Sequence, residues 1–295
     1  MVNSVVYLMD PYNDYANRAA AQLNPAVVLT GEKPLLVDEW QEVPGIWDAV
    51  RFACDRTKDK GLFILTGSST PRSQGFAHSG AGRICRINMR PMSLYESGDS
   101  SGAVSLIGLF SSERVEPGVS RLTQQKLIHL AVRGGWPENI HVEDEKARIL
   151  PEQYNLALAE TDMTNIDNVR RNPILVLHLL SSVARTNATP ALDSTIVADI
   201  QARFGEISRQ TISEYLSALK RLHVIEEIPQ WFPELRSKLR LRKTPKRMLA
   251  DPSIAVSALN ARAADLERDP WTLGGFLKTS VLGTCWCIVK HQESS

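Results

Sequence analysis

Short apolar runs alternate with amphipathic segments in the N-terminal part of the chain. Three runs of strand-forming residues, Ser4–Met9, Leu35–Val37 and Leu62–Leu65, are bounded by turn residues. Between them, residues 13–23 and a segment beginning at Ile46 have the apolar spacing of helices. Strands that alternate with helices predict a parallel sheet with right-handed crossovers, and therefore an α/β fold.

Polar residues follow the second and third of these predicted strands. Asp38 and Glu39 end the second strand, and Thr66-Gly67-Ser68-Ser69 ends the third. In open α/β sheets, ligands bind at the carboxyl ends of neighbouring strands. Asp38 is therefore predicted to hold Mg²⁺ directly or through water, and Glu39 to orient and polarise the attacking water of a phosphoryl transfer. Ser68 or Ser69 would bind the terminal phosphate or that water. A solvated helix cap remains the alternative for the two carboxylates.

The pattern becomes mainly helical beyond residue 120. A helix capped by Asp193 or Ser194 is predicted to end near Gly205, and Ser208 caps a second helix over residues 209–222. Two short helices joined by a turn that contains glycine are typical of a helix-turn-helix, and a strand follows them. The region therefore predicts a winged-helix module.

Cations are concentrated after this helix pair, in a chain whose net charge is only +1. In residues 236–242 every second residue is a cation, so one face of a strand would carry the positive charge. Such a face beside a helix-turn-helix suits the phosphates of double-stranded DNA, whereas a solvated sheet face or arginine clamps on the first domain are the alternatives. The predicted nucleic-acid contacts are Arg209, Lys220, Arg236, Lys238, Arg240, Arg242, Lys246 and Arg247.

Composition and length narrow the class of protein. The 295 residues exceed a usual single domain, and the 43% hydrophobic and 23% charged content is ordinary for a globular protein. No apolar run approaches the roughly 20 residues of a membrane-spanning helix, and the N-terminus has no signal-peptide pattern. The four cysteines lack the spacing of a zinc site. These features predict a cytoplasmic protein without a membrane partner, structural disulfide or zinc ion.

Four segments resemble bacterial and archaeal ATPases of the AAA class, which join a P-loop ATPase domain to a C-terminal domain of unknown function. The segments are Pro34–Pro44, Phe63–Ser69, Gly80–Arg83 and Arg90–Glu96, and their order and spacing match that family. The resemblance implies ATP and Mg²⁺ as ligands, with Asp38 and Glu39 as the Walker B pair and Ser68 at the sensor position. Arg83 would be either an arginine finger or a structural ion pair or loop clamp. A homo-oligomer is possible, because a neighbouring subunit often supplies such a finger.

The glycine-rich loop of that family, Gly-x-x-x-x-Gly-Lys-Ser/Thr, does not occur in these 295 residues. The first strand here resembles the family's second, and the likeness stops after Leu277. We therefore expect a chain truncated at both ends, with an incomplete P-loop NTPase sheet and impaired ATP hydrolysis. A winged-helix nucleic-acid-binding or regulatory protein without catalytic activity is the alternative, and a functionless remnant is a third possibility.

The predicted domains are a partial ATPase core at 1–110, a helical linker or lid at 111–189, a winged-helix-like domain at 190–255 and the remnant of a C-terminal domain at 256–295.

Overall fold

A computed structural model describes most of the chain and divides it into two compact units. The units comprise residues 1–88 and 89–295. The described residues are 2–57, 59–69, 80–104, 106–110, 119–142, 144–230, 233 and 244–293.

The first unit is built on a parallel sheet with the strand order β1-β2-β3. The predicted mixed α/β class is confirmed. Its elements are β1 (Ser4–Tyr7), α1 (Ala16–Leu23), β2 (Leu35–Asp38), α2 (Gly45–Asp55) and β3 (Phe63–Leu65), with single-turn or short 3-10 helices at Pro11–Asn13, Pro25–Leu29 and Trp40–Glu42. Helix α1 begins three residues later than its pattern predicts, because Asp14 and Tyr15 have positive φ angles of 47° and 54° and therefore interrupt a right-handed helix.

One side of this sheet carries the core of the first unit. Leu35 and Val37 of β2 are buried there with Ile46, Trp47 and Val50 of α2. The rings of Trp40 and Trp47 pack at 5.3 Å between centroids. This packing fixes the position at which the chain leaves β2, since Trp40 follows the strand by two residues.

The second unit is mainly helical, and its core surrounds the helix Pro173–Arg185, whose residues Val176, Leu179, Leu180 and Val183 are fully buried. Strands β4 (Ile225–Ile228) and β5 (Lys246–Leu249) pair antiparallel. The helices are α3 (Leu106–Phe110), α4 (Gln124–Arg133), α5 (Ile149–Ala157), α6 (Met163–Asn165), α7 (Pro173–Arg185), α8 (Asp193–Phe204), α9 (Arg209–Arg221), α10 (Pro252–Ala258), α11 (Ala263–Arg268) and α12 (Pro270–Glu293), with a π-helical turn at Leu158–Asp162.

The segment that follows residue 88 is anchored within the second unit. Arg90 pairs with Glu226 of β4 at 2.6 Å, and the Met92 amide donates a hydrogen bond to the Gly135 carbonyl at 2.8 Å. The compact units therefore divide earlier than residue 110, where the sequence pattern placed the end of the first domain.

The turn after α4 is joined to the start of α10 by a buried carboxylate. Asp251 is 1% exposed and accepts hydrogen bonds from the Gly135 amide at 2.8 Å and from the Ser253 amide at 2.8 Å. Burial raises the pKa of Asp251, and the hydrogen bonds from Ser253 and Gly135 oppose that shift. Gly134 has φ +72°, and a Cβ atom at this position would overlap Asp251. Gly134 thus makes room for the carboxylate, whereas a Cβ atom at Gly135 would overlap the Met92 backbone.

A buried ion cluster connects the start of α7 with α9. Arg171 donates to both oxygens of Asp167, at 2.7 and 3.0 Å, and Arg221 lies 3.3 Å from the same carboxylate. Burial alone would raise the pKa of Asp167, but hydrogen bonds and charge from Arg171, the Val169 amide and the charge of Arg221 outweigh it and lower the pKa to about 2. The ionised form of Asp167 therefore stabilises the folded chain.

We predict that Asp167→Asn removes part of the acid sensitivity of folding. A carboxyl whose pKa is lower in the folded chain contributes stability above its unfolded pKa, and this contribution is lost as the pH falls toward 2. At neutral pH the variant should lose about 2 kcal/mol or more of unfolding free energy, because Arg171 is left buried without its carboxylate. Urea unfolding followed by circular dichroism from pH 7 to pH 2 measures this loss.

The exposed Glu267→Gln is the matched control. It should reproduce both the stability and the pH profile of the parent. If the parent and Asp167→Asn lost stability in parallel between pH 4 and pH 2, the cluster would not contribute as described.

Candidate functional site

The loops that follow β2 and β3 are joined at the carboxyl edge of the sheet. The Thr66 amide donates to the Val37 carbonyl at 3.0 Å, and the Trp40 amide donates to the Thr66 carbonyl at 3.2 Å. Parallel strands in register end at the same edge, and Val37 pairs with Leu65. The two hydrogen bonds therefore continue the β2–β3 pairing beyond the strands themselves.

Asp38 has a hydroxyl partner on the neighbouring loop. Thr66 Oγ1 donates to Asp38 Oδ1 at 2.7 Å, and both residues are half-buried. The hydroxyl residues predicted to bind the terminal phosphate or the attacking water are Ser68 or Ser69, and Ser68 is exposed two residues farther along the same loop. The overlooked signal is the register, because Thr66 directly follows the residue that pairs with Val37.

Glu39 occupies a left-handed backbone conformation, with φ +54° and ψ 39°. Its carboxylate Oε2 accepts a hydrogen bond from Gln41 Nε2. A non-glycine residue in this conformation carries a backbone cost of about 1 kcal/mol or more. The turn at Glu39 directs the chain from β2 into the short helix Trp40–Glu42. The backbone cost at Glu39 is therefore a consequence of placing the next residue, Trp40, in the core.

Arg83 is bound at a different place in the first unit. Its Nε donates to Asp55 Oδ1 at 2.7 Å, and Asp55 is the last residue of α2. The preceding Gly80 packs on the ring of Trp47, also on α2. Helix α2 starts at the carboxyl edge and leads back toward the start of β3, so Asp55 is at the end of the helix away from Asp38. The structure thus brings Asp38, Glu39 and Thr66 together and leaves Arg83 in an ion pair.

The cations proposed for nucleic acid occupy three different environments. Arg209 and Lys246 are exposed. Lys220 pairs with Glu227 at 2.6 Å. Arg247 is 5% exposed and contacts Asp193 at 2.6 Å and Glu227 at 3.0 Å. Residues Arg236, Lys238, Arg240 and Arg242 lie outside the described residues.

Arg247 thus differs from the surface position that the charge pattern predicted. Its strand face points into the second unit, where two carboxylates that are distant in sequence compensate its charge. A buried cation needs such partners because desolvation is costly. Alternation along the strand specifies two faces, but it does not identify the face that is buried.

The described residues contain no group of three or more His, Cys, Asp and Glu side chains that could hold a metal ion. A magnesium ion at Asp38 would therefore depend on water and phosphate oxygens for its other ligands, as Mg²⁺ commonly does beside nucleotides.

Among the described helices, none combines the length and apolar character needed to cross a membrane.

Two family models match successive parts of the chain. Residues 4–98 match an AAA domain, and residues 124–265 match a domain of unknown function (DUF8612). The first match includes the whole parallel sheet and the edge that holds Asp38. The N-terminal region is thus similar to AAA domains, and the two successive matches support an AAA-type P-loop NTPase region followed by a domain of unknown function.

Two curated relatives come from mycobacteria. The chain is 22% identical over 252 residues to uncharacterized proteins of Mycobacterium bovis and Mycobacterium tuberculosis, and each match covers 84% of this chain and 49% of the relative. The chain thus spans about half the length of the curated relatives it matches. No solved structure matches the chain.

We predict that Glu39→Gly is more stable than Glu39→Ala by about 1 kcal/mol. Both variants lose the carboxylate, so their difference isolates the left-handed backbone at φ +54°. Glycine adopts this conformation without the steric cost that a Cβ atom imposes. The unfolding free energies of the two full-length variants in urea give the comparison directly.

At an ordinary φ angle the order would be reversed, with glycine less stable than alanine by about 0.5–1 kcal/mol. The reversed order would therefore contradict the backbone conformation assigned to Glu39. The same exchange at the exposed helical residue Glu267 is the control, and there alanine should be the more stable residue.

Proposed function

We propose that the carboxyl edge of the first sheet is the metal- and water-handling part of an ATPase site, at which ATP is hydrolysed by phosphoryl transfer to water with Mg²⁺. The AAA match over residues 4–98 supports the class of reaction. The observation that carries the proposal is the 2.7 Å hydrogen bond from Thr66 to Asp38, since it joins the ends of two neighbouring parallel strands at the edge where such sheets bind ligands.

Each residue of the proposed site has a distinct role. Asp38 would hold Mg²⁺ through water, because a hard cation prefers carboxylate and water oxygen. Glu39 would accept the proton of the attacking water. Ser68, exposed beyond Thr66, would donate a hydrogen bond to the terminal phosphate. Arg83 would reach transferring phosphate only after leaving Asp55, so its proposed role is structural unless a partner rearranges it.

The 295 residues do not supply the usual phosphate-binding groups for this site. Backbone amides and a lysine of the Gly-x-x-x-x-Gly-Lys-Ser/Thr string normally cradle the phosphates, and the string is not present in this sequence. Because phosphoryl transfer depends mainly on positioning and charge neutralisation, we propose that nucleotide affinity and hydrolysis by this polypeptide alone are impaired.

We predict that the chain binds Mg·ATP with a Kd above about 0.1 mM, as measured by isothermal titration calorimetry. Affinity should fall further without Mg²⁺, and Asp38→Asn should remove that dependence on Mg²⁺. Asp59→Asn, an exposed change in the loop before β3, is the matched control and should bind as the parent does. Micromolar affinity would contradict the proposed impairment, and identical behaviour of Asp38→Asn and the parent would contradict the proposed metal role.

Binding of double-stranded DNA by the second unit is a second candidate function. The support is the order of elements: α7, the bridge between Thr189 and Arg247, α8, α9, and the pair β4–β5. We propose that this order is a winged helix. Under this alternative to the ATPase proposal, the chain is a nucleic-acid-binding or regulatory protein without catalytic activity.

The exposed face of α9 supports contact with a duplex. Arg209, Gln210, Ser213 and Ser217 are exposed, and they supply guanidinium, amide and hydroxyl groups of the kind that contact phosphates and base edges. Glu214 is the acidic residue on the same face, and it accepts a hydrogen bond from Gln210 at 2.9 Å. Lys220 and Arg247 are paired with carboxylates, so Arg209 and Lys246 are the proposed phosphate contacts among the described residues.

We predict that Arg209→Ala weakens duplex DNA binding by about tenfold at low salt and reduces the salt dependence of binding. Fluorescence anisotropy with a labelled duplex at two salt concentrations measures both quantities. Arg268→Ala removes an exposed charge on α11 and should leave binding unchanged. A parent chain that bound no duplex at low salt would rule out this second function.

A further inference from the structure

Gln41 lies directly between the two joined loops of the proposed ATPase site. It belongs to the short helix Trp40–Glu42, and its Nε2 donates a hydrogen bond to Glu39 Oε2. The amide is thus bound to one oxygen of the carboxylate that would act as the base.

The oxygen of the Gln41 amide, Oε1, lies in a buried environment. Gln41 Oε1 is buried and has no hydrogen-bond partner among the described residues. A buried acceptor without a partner carries a desolvation cost. The desolvation of Gln41 Oε1 therefore lowers the free energy of unfolding that this part of the fold contributes.

Gly67 on the neighbouring loop makes room for this amide. A Cβ atom at Gly67 would overlap Gln41 Oε1 and would lie 3.0 Å from Gln41 Cδ. The backbone on both sides is fixed by the Thr66–Val37 and Trp40–Thr66 hydrogen bonds. Gln41 consequently has little freedom to turn, with Glu39 on one side and the Gly67 backbone on the other.

We propose that Gln41 is the positioning residue for Glu39. It holds Oε2 of the carboxylate and leaves Oε1 to accept a proton from the attacking water. In that reaction the water oxygen forms a bond to the terminal phosphorus, the bond from that phosphorus to the bridging oxygen breaks, and the water proton passes to Glu39. This role rests on the proposed ATPase function. It adds a residue whose own atoms do not touch the substrate, and whose contribution is the orientation of the base.

Substitution by methionine separates a positioning role from a structural one. Methionine has a similar length and volume but has neither the N–H donor nor the unpartnered acceptor. Replacing a buried unpartnered polar group by an apolar group of the same shape is close to neutral for folding. A structural glutamine would lose stability on this change, whereas a positioning glutamine loses hydrolysis.

The first measurement tests the contact in the chain without nucleotide. In nitrogen-15 spectra of the full chain, the side-chain amide signals of Gln41 are identified by their loss in Gln41→Met. We expect Glu39→Gln to shift those signals, because the carboxylate acceptor is replaced. Unchanged signals would overturn the proposal irrespective of any activity.

The second measurement tests the consequence for the reaction. Single-turnover hydrolysis of Mg·ATP at high protein concentration should be at least tenfold slower in Gln41→Met, with Mg·ATP affinity within twofold of the parent and unfolding in urea not weakened. Gln22→Met, an exposed glutamine of α1, should hydrolyse at the parent rate. A parent rate in Gln41→Met, or equal losses of stability and rate, would overturn the positioning role.

Failure of the proposed function is distinguishable from failure of this inference. A parent chain that neither binds nor hydrolyses Mg·ATP would remove the ATPase function, and the positioning role with it, even where the amide signals respond to Glu39→Gln. A parent that hydrolyses Mg·ATP and loses this activity in Asp38→Asn, but not in Gln41→Met, would retain the ATPase function and exclude the role of Gln41.

Discussion

The first unit depends on the pairing of β2 with β3 and on its continuation past the ends of both strands. The Thr66 backbone accepts from Trp40 and donates to Val37, so the two exit loops cannot separate without losing hydrogen bonds at the edge of the core. Parallel register then determines which side chains meet. Asp38, Glu39, Gln41 and Gly67 converge because two strands end side by side, although the two loops are separated in sequence by α2.

Two local free-energy costs meet at this corner of the first unit. Glu39 has a left-handed backbone, and Gln41 has a buried acceptor without a partner. The adjacent packing of Trp40 on Trp47 and the burial of Ile46 hold this corner in place. Unfavourable conformations that surrounding packing maintains are typical of functional sites. In the second unit, the buried carboxylates Asp167 and Asp251 accept several hydrogen bonds each.

Several cations in the described part of the second unit pair with carboxylates of the same unit. Arg90, Arg171, Lys220 and Arg247 contact carboxylates within the unit. A count of cations along the sequence therefore overstates the positive surface open to a phosphate backbone. The exposed face of α9 is therefore the part of the described second unit on which the proposed duplex contact depends.

The amino-acid pattern was sufficient to predict the alternation of strands and helices, the similarity to AAA domains and the placement of Asp38 and Glu39 at a strand end. Periodicity and turn residues are local, so these features could be read without coordinates. The contacts of Asp38 with Thr66, of Arg83 with Asp55 and of Arg247 with Asp193 are visible only in the folded chain. These partners are 28, 28 and 54 residues apart, and their contact depends on chain packing that no local pattern encodes. The same reason applies to Gln41, whose close approach to Gly67 could not be predicted from the sequence pattern.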